Sequence, residues 1–569
     1  MNRNERDKKI NRIFGGIIAF AAIIIFSTLR YDFGEDELYY VCCSYRISAG
    51  SIPCIDSFTW DFFGILLSPF IKLYTYFTGG TEGILLFCRY IFLLFQVIVS
   101  IVVLLLSGKQ TRIMFYGMMI YLLVMPYNIN TFNTNTIPMA SFLLILLILI
   151  CYEESFYNGL VIGVIFSFAV IANPFYILLY FVYLAVYIGI LLIRHLFYST
   201  FEIKWFWFET IKGITCGGII VGCIVLVYYF VNGISLNDIV DFANYVVNSD
   251  ATHGTSIGLI ITKILDCLKG VKRLYLIQLS FLSAILILYY SRMKLKFLEI
   301  KENIGLFIMI STVIEGFFLF YKAKNAQMAF HSVSHYLIFS LFISLLLYNV
   351  IVLKDIKIFY IQIFGMVAFM CSLFATNTGL NTPSVAIAPF VAWIVILVFE
   401  HYQNINLMNK IFMYIFYSAF IILLLSIRTY CGWHEPISKC DTFNYRGPTK
   451  GIYTTKEQWD SINEDYKILD MFDYKNQDII FEFDDKLHAT SFLYLNAKGV
   501  GPGQQDKSVS QMYEKYYTLK KDSIPNLVMI YHPENDNTKY LIEMCKDIGY
   551  ECKNINHIMV YYNKSLLKN

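Results

Sequence analysis

Charge is scarce in this sequence. Asp, Glu, Lys and Arg make up 15% of its 569 residues, against about 25% in an ordinary soluble protein. What charge there is nearly cancels, to a formal +3, so no basic surface for nucleic acid is present. The 13 cysteines form no CxxC pair and no Cys/His metal-site spacing. The glycine-rich GVGPG at 499–503 is not followed by Gly-Lys-Ser/Thr, so it opens no P-loop. Internal repeats and low-complexity tracts are missing too. These absences exclude a soluble globular enzyme, a nucleic-acid binder and a P-loop nucleotide binder.

Apolar residues fill the space that charge leaves. Hydrophobic side chains reach 57% and aromatic ones 17%. From Arg428 to Asn569, 18 Lys and Arg and 20 Asp and Glu fall within 142 residues, an ordinary soluble density. Residues 1–427 hold only 49 charges, as hydrocarbon-embedded helices would. Apolar stretches suited to about 30 Å of hydrocarbon recur at 13–29, 83–107, 113–126, 137–152, 158–173, 174–193, 212–231, 274–290, 304–321, 336–353, 357–375, 384–399 and 410–427. That makes about thirteen crossings. The basic start MNRNERDKKINR lacks a following small-x-small cleavage site, so the first stretch reads as an uncleaved helix with a cytoplasmic N-terminus. Alternate loops carry Lys109 and Arg112, Arg194 and Lys204, Arg292, Lys294 and Lys296, then Lys354 and Lys357, and the positive-inside rule turns them to the cytoplasm. An odd number of crossings then puts the tail outside.

The expected fold is a polytopic α-helical cell-membrane protein, residues 1–427, with a small extracytoplasmic α/β domain, residues 428–569. In that tail, helical periodicity at 454–472 and 539–550 alternates with strand-like runs at 478–483, 526–532 and 557–563. Cys431 with Cys440, and Cys545 with Cys552, are open to disulfide or free-thiol readings. Outer loops are the long ones: Arg30 to about Glu82, and Asn232 to about Arg273 with an amphipathic stretch at 257–268. Shorter polar ones lie at 127–136, 322–335 and 376–384. Elaboration on one face marks it as the face of the chemistry. Asn173-Pro174 reads as a turn or kink, and KWFWFE at 204–209 as an aromatic interfacial anchor.

The first outer loop, YDFGEDELYYVCCSYRISAGSIPCIDSFTW at 31–60, opens with Asp36-Glu37 directly after the first membrane helix. Hydrated carboxylates there would suffice as a polar helix cap. An acid screened by aromatic neighbours would instead have the basicity of a general base. GEDELYY (34–40), YRISAGSIPCIDSF (45–58) and the SPF turn (68–70), in this layout, resemble the GT-C-fold glycosyltransferases, more narrowly the protein O-mannosyltransferase and aminoarabinose-transferase group. The resemblance implies a transferase that uses a polyprenyl-phosphate-linked sugar, inverts the anomeric carbon, and hands the sugar to a glycan, lipid or protein acceptor. Topology points the same way, since nucleotide sugars are cytoplasmic and these acids face outward. Asp36 would be the base, or Glu37 in its place.

Cations near the outer face are the candidates for the leaving phosphate. Arg89 either serves there or pairs with Glu82 or Glu315, because a buried arginine is expensive alone. Lys322, Lys324, His331 and His335 crowd one loop, as phosphate or substrate ligands or as headgroup and loop polarity. Arg46 either contacts substrate or pairs with Asp56. Glu315 reads as a paired structural acid. No motif calls for a cofactor, and the acids leave a divalent metal open. Two rivals stand beside the transferase: a lipid-linked oligosaccharide polymerase or ligase, and a transporter or flippase of lipid-linked saccharides. The early acidic pair disfavours the first, and the lack of repeats disfavours the second. The charge asymmetry makes a topology prediction: a reporter fused after Lys450 should appear outside the cytoplasm and one at Lys204 inside, as read by compartment-specific activity.

Overall fold

Long apolar runs with few helix breakers can satisfy their backbone in lipid only as helices, and helices dominate the chain. The computed structural model describes residues 3–57, 59–106, 111–197, 208–249, 257–272, 274, 297–325, 327–376, 378–402, 407–430, 436–473, 480–483, 493–495, 517, 524–531, 533–534, 538–555 and 558–567. In chain order the helices are α1 (Arg3–Thr28), α2 (Glu35–Ser48), α3 (Ser68–Thr78), α4 (Ile84–Leu106), α5 (Thr111–Leu123), α6 (Thr136–Cys151) and α7 (Phe156–Ala172). Then come α8 (Ile177–Phe197), α9 (Phe208–Val231), α10 (Leu236–Ser249), α11 (Ile257–Lys272), α12 (Phe297–Lys324), α13 (Phe330–Tyr348), α14 (Ile356–Ala375), α15 (Asn381–Ala386), α16 (Ala388–Tyr402) and α17 (Leu407–Tyr430). Among the described residues α4, α9, α13 and α14 are long and apolar enough to cross a membrane, and six shorter apolar helices accompany them. The chain is an integral membrane protein.

Helices occupy twelve of the thirteen expected stretches; of the thirteenth, residues 275–290 lie outside the described residues, as does GVGPG. One stretch is divided differently from expectation. Residues 384–399 belong to two helices, α15 and α16, broken at Ile387. The long first loop is mostly helical, with α2 and α3 joined by a 3₁₀ turn at Phe62–Leu66. Asn173-Pro174 does end a helix: the Asn173 carboxamide accepts the Phe175 N–H at 3.1 Å, and a 3₁₀ turn follows. The main core gathers α1, α4, α5, α6 and α12 to α17 around Leu143, Phe342, Trp393 and Tyr417, all fully enclosed.

Tail residues form two small sheets. β1 (Thr442–Phe443) pairs with β2 (Tyr453–Thr454) antiparallel. A mixed sheet of β3 (Ile480–Phe483), β4 (Leu527–Ile530), β5 (Glu551–Ile555) and β6 (Ile558–Tyr562) runs in the order β3-β4-β6-β5. On it lie α18 (Lys456–Leu469) and α19 (Lys539–Asp547). All four residues of β4 are buried, because alternate side chains face opposite ways into two different cores. Leu527 and Met529 share a cluster with Trp459 and Leu469 of α18 and with Phe472 just beyond it. Val528 and Ile530 belong to a cluster with Leu541 and Cys545 of α19, and also with Cys54, Ile55, Phe62, Tyr229 and Phe242. One face of this sheet is therefore completed by the membrane module. Cys440, Cys545 and Cys552 are free thiols, and Cys431 lies outside the described residues.

Among the described residues α7 and α9 pack backbone to backbone. A Cβ added at Gly163 would lie 2.2 Å from the Ile214 carbonyl oxygen, and one at Gly213 would lie 2.2 Å from that of Phe156. At Gly159 and Gly217 the same atom would lie 2.3 and 2.5 Å from facing carbonyl oxygens, so four small residues let two backbones touch in lipid. Gly163→Val should therefore destabilise the protein by about 1–3 kcal/mol or more. Gly218→Ala, where nothing lies within 4 Å of the new methyl, should be neutral or slightly stabilising. Thermal unfolding in detergent measures both.

Candidate functional site

The acids of the first loop sit at the start of α2. Gly34 ends the preceding segment in an extended conformation, and Glu35, Asp36 and Glu37 fill the first helical turn, where carboxylates meet the positive end of the helix dipole. Adjacent helical residues point about 100° apart. The two acids consequently have opposite surroundings: Asp36 is exposed, and Glu37 is 1% exposed.

Glu37 faces Arg89, which is fully buried in α4. The Arg89 Nε donates to Glu37 Oε1 at 3.0 Å and Nη2 donates to Oε2 at 2.5 Å. The remaining guanidinium protons go to backbone: Nη1 donates to the carbonyls of Leu29 at 2.5 Å and Tyr31 at 3.4 Å, and Nη2 to that of Asp32 at 2.7 Å. Glu37 Oε1 also accepts the Asn130 N–H at 2.9 Å. Asn130 in turn accepts from Arg428 Nη2 at 2.9 Å through its carboxamide oxygen. Neither Glu82 nor Glu315 holds Arg89. Glu82 pairs with Lys450 at 3.0 Å, and buried Glu315 accepts a hydrogen bond from Ser340.

Asp36 looks the other way, toward aromatic rings. One helical turn on, burial and then the Asp36 carboxylate push the Tyr40 phenol above its ordinary range. Tyr127 is pushed up to about 12 by burial, with the same carboxylate adding to the effect. Tyr127 stands in the turn between α5 and α6 with a left-handed backbone, φ 52°, a conformation uncommon outside glycine. Its hydroxyl shares a 2.7 Å hydrogen bond with Thr382. Its ring lies 5.0 Å from His331 and 5.3 Å from His335. His335 Nε2 donates to the Met125 carbonyl at 3.0 Å, and Asn381 lies beside the same imidazole.

Of the residues singled out in the sequence, the structure sets His331 and His335 against Tyr127, which the Asp36 charge also reaches, and pairs Glu37 with Arg89. Lys322 and Lys324 end α12; the Lys322 ammonium rests 4.5 Å from the Phe318 ring, and Lys324 is exposed. Arg46 lies ten residues from Asp36, about 15 Å along α2. Its ion-pair partner is Asp61 at 3.8 Å, not Asp56, and its Nη2 also donates to Cys43 Sγ at 3.3 Å. Burial raises the Asp61 carboxyl, while Arg46, the Cys54 N–H and the Ser57 hydroxyl oppose the rise. Asp56 accepts the Ile52 N–H at 2.7 Å within its own turn. Among the described residues no three His, Cys, Asp or Glu side chains gather as metal ligands.

Sequence reasoning missed Tyr127, Asn130, Thr382 and Arg428. The available signals were polar residues in the 127–136 and 376–384 segments, and an arginine ending the last apolar run. If the Glu37–Arg89 pair holds this end of the bundle, breaking it strands a buried guanidinium. Glu37→Leu should cost about 3–5 kcal/mol, seen as a lower melting temperature and less folded protein, whereas Asp36→Leu should leave stability nearly unchanged.

No protein-family model matches the sequence, and no curated protein matches it. Solved structures similar to this chain include apo ArnT from Cupriavidus metallidurans, at 13% identity and a TM-score of 0.44, covering 98% of this chain and 99% of that one. The archaeal oligosaccharyltransferase AglB from Archaeoglobus fulgidus, in complex with an inhibitory peptide and a dolichol-phosphate, is similar at 11% identity and a TM-score of 0.43, covering 97% and 74%. ArnT bound to undecaprenyl phosphate is similar at 11% identity and a TM-score of 0.40, covering 97% and 98%. ArnT and AglB are GT-C-fold membrane glycosyltransferases.

Proposed function

We propose that this chain is a GT-C-like membrane glycosyltransferase that moves a sugar from a polyprenyl-phosphate-linked donor to an acceptor hydroxyl on the extracytoplasmic face, with inversion. The observation that carries the reading is the division of labour between neighbouring acids. Glu37 is enclosed in a bidentate pair with Arg89, so its charge is spent on holding backbone. Asp36 is exposed, and its charge is felt at Tyr40 and at Tyr127, the ring that His331 and His335 pack against. Of the two acids, Asp36 is the one that a substrate reaches.

In the proposed reaction Asp36 accepts the proton of the acceptor hydroxyl. The hydroxyl oxygen bonds to the anomeric carbon as the bond from that carbon to the phosphate oxygen breaks. The polyprenyl phosphate departs as an anion and needs positive charge or donors near it. His331, beside Tyr127, is the nearest candidate from the predicted set, and Lys322 and Lys324 stand at the end of the neighbouring helix. Arg89 is removed from that role in this reading, because its five N–H groups already have acceptors. Thirteen crossings with an outward tail remain the proposed topology.

Asp36→Asn keeps size and most hydrogen bonding but loses basicity. Transfer from a lipid-linked sugar donor, assayed in membranes at matched protein level, should fall by about 10²–10⁴. Near-wild-type turnover would remove Asp36 as the base and take the main residue-level support for the reading with it.

A further inference from the structure

The short segment between α1 and α2, which delivers Asp36, is bound from two sides. Its carbonyl groups can be followed one by one, since each needs a partner when buried. Leu29, Tyr31 and Asp32 give theirs to Arg89. The Arg30 carbonyl accepts the Tyr453 N–H at 2.7 Å, and the Asp32 N–H donates to the Tyr453 carbonyl at 2.8 Å, a parallel bridge between Tyr31 and Tyr453. The rings of Tyr31 and Tyr453 stack over it at 5.5 Å. The Phe33 carbonyl accepts Gln458 Nε2 at 3.1 Å. Gly34 then gives its carbonyl to the first turn of α2, at the N–H groups of Glu37 and Leu38.

Asp32 lies within this segment at φ 50° and is buried. A non-glycine residue in the left-handed region persists only where surrounding contacts over-determine it. Here the Asp32 N–H is held by the tail, at the Tyr453 carbonyl, and its carbonyl by Arg89. Gln458 is itself prepared for the task. Its N–H is fixed by the Thr455 hydroxyl cap of α18 at 3.2 Å, and its carboxamide oxygen accepts the Thr454 hydroxyl. That leaves the carboxamide NH₂ to donate to Phe33.

We infer that the tail is a positioning element for the acidic helix turn, and that Gln458 is a positioning residue that sets Asp36 through the Phe33 carbonyl. The inference rests on the proposed role of Asp36. It assigns the tail a part in presenting the base.

The test measures Gln458→Glu, which removes the donor and places a negative charge against the carbonyl, in the full-length protein and in the Asp36→Asn background. A misplaced base should lower kcat by roughly ten- to a hundredfold with donor and acceptor KM unchanged. The same change should have no further effect on the residual rate of Asp36→Asn. Thr454→Val, which keeps Gln458 but frees its carboxamide, should move kcat in the same direction and decides the matter if Gln458→Glu does not fold. An equal loss in both backgrounds, or a loss seen only as raised acceptor KM, would overturn the positioning role. Wild-type turnover by Asp36→Asn alone would instead sink the functional reading, and this inference with it.

Discussion

The fold at the functional end depends on finding partners for one buried guanidinium. Taking an arginine out of water costs several kcal/mol unless every donor is met. Arg89 meets the cost with the Glu37 carboxylate and three carbonyls from the α1–α2 connection. The connection therefore cannot be helical, because its carbonyls point across to α4 instead of along the chain. Glu37 must then face inward, and its neighbour Asp36, a third of a turn away, must face out. The exposure of one acid follows from the burial of the other.

The same pair reaches further. Through Asn130 it joins the α5–α6 turn to Arg428 at the end of α17, so the first and last apolar helices of the membrane module share one polar network. A second structure supports the far end of α2. There Arg46 and Asp61 brace the loop on which the tail sheet rests, with Trp60 donating to the Ile171 carbonyl at 2.8 Å and Tyr229 to that of Pro53 at 3.2 Å. The tail touches the segments on both sides of the acidic helix: through the Tyr453 backbone and Gln458 before it, and through an apolar core after it.

Much of this was legible in the residues. Apolar runs located the helices, because length and hydropathy are local properties. Tail elements were legible where periodicity was strong, as in α18, β4 and β6. The edge strand β5 was not, since its sequence, ECKNI, is mostly exposed and polar, as edge strands are. Asp36, Glu37 and Arg89 were all visible as unusual charges, but sequence cannot say which acid an arginine 52 positions away will choose. For Arg46 the sequence offers substrate or Asp56 as partner, whereas the turn at Cys54, itself left-handed at φ 65°, brings Asp61 round instead. Tyr127 and Thr382 were hidden because ordinary polar residues acquire meaning only when distant loops meet.

The bridge between Tyr31 and Tyr453 also orders events during biosynthesis. Residues at the very beginning of the chain wait for partners more than four hundred positions away. Contacts so distant in sequence carry a large loop-closure cost and form late. Until then the Arg30 and Phe33 carbonyls have no tail to meet. A chain that stops before Tyr453 carries the acidic turn without its clasp, so the turn is finished only by residues made long after it.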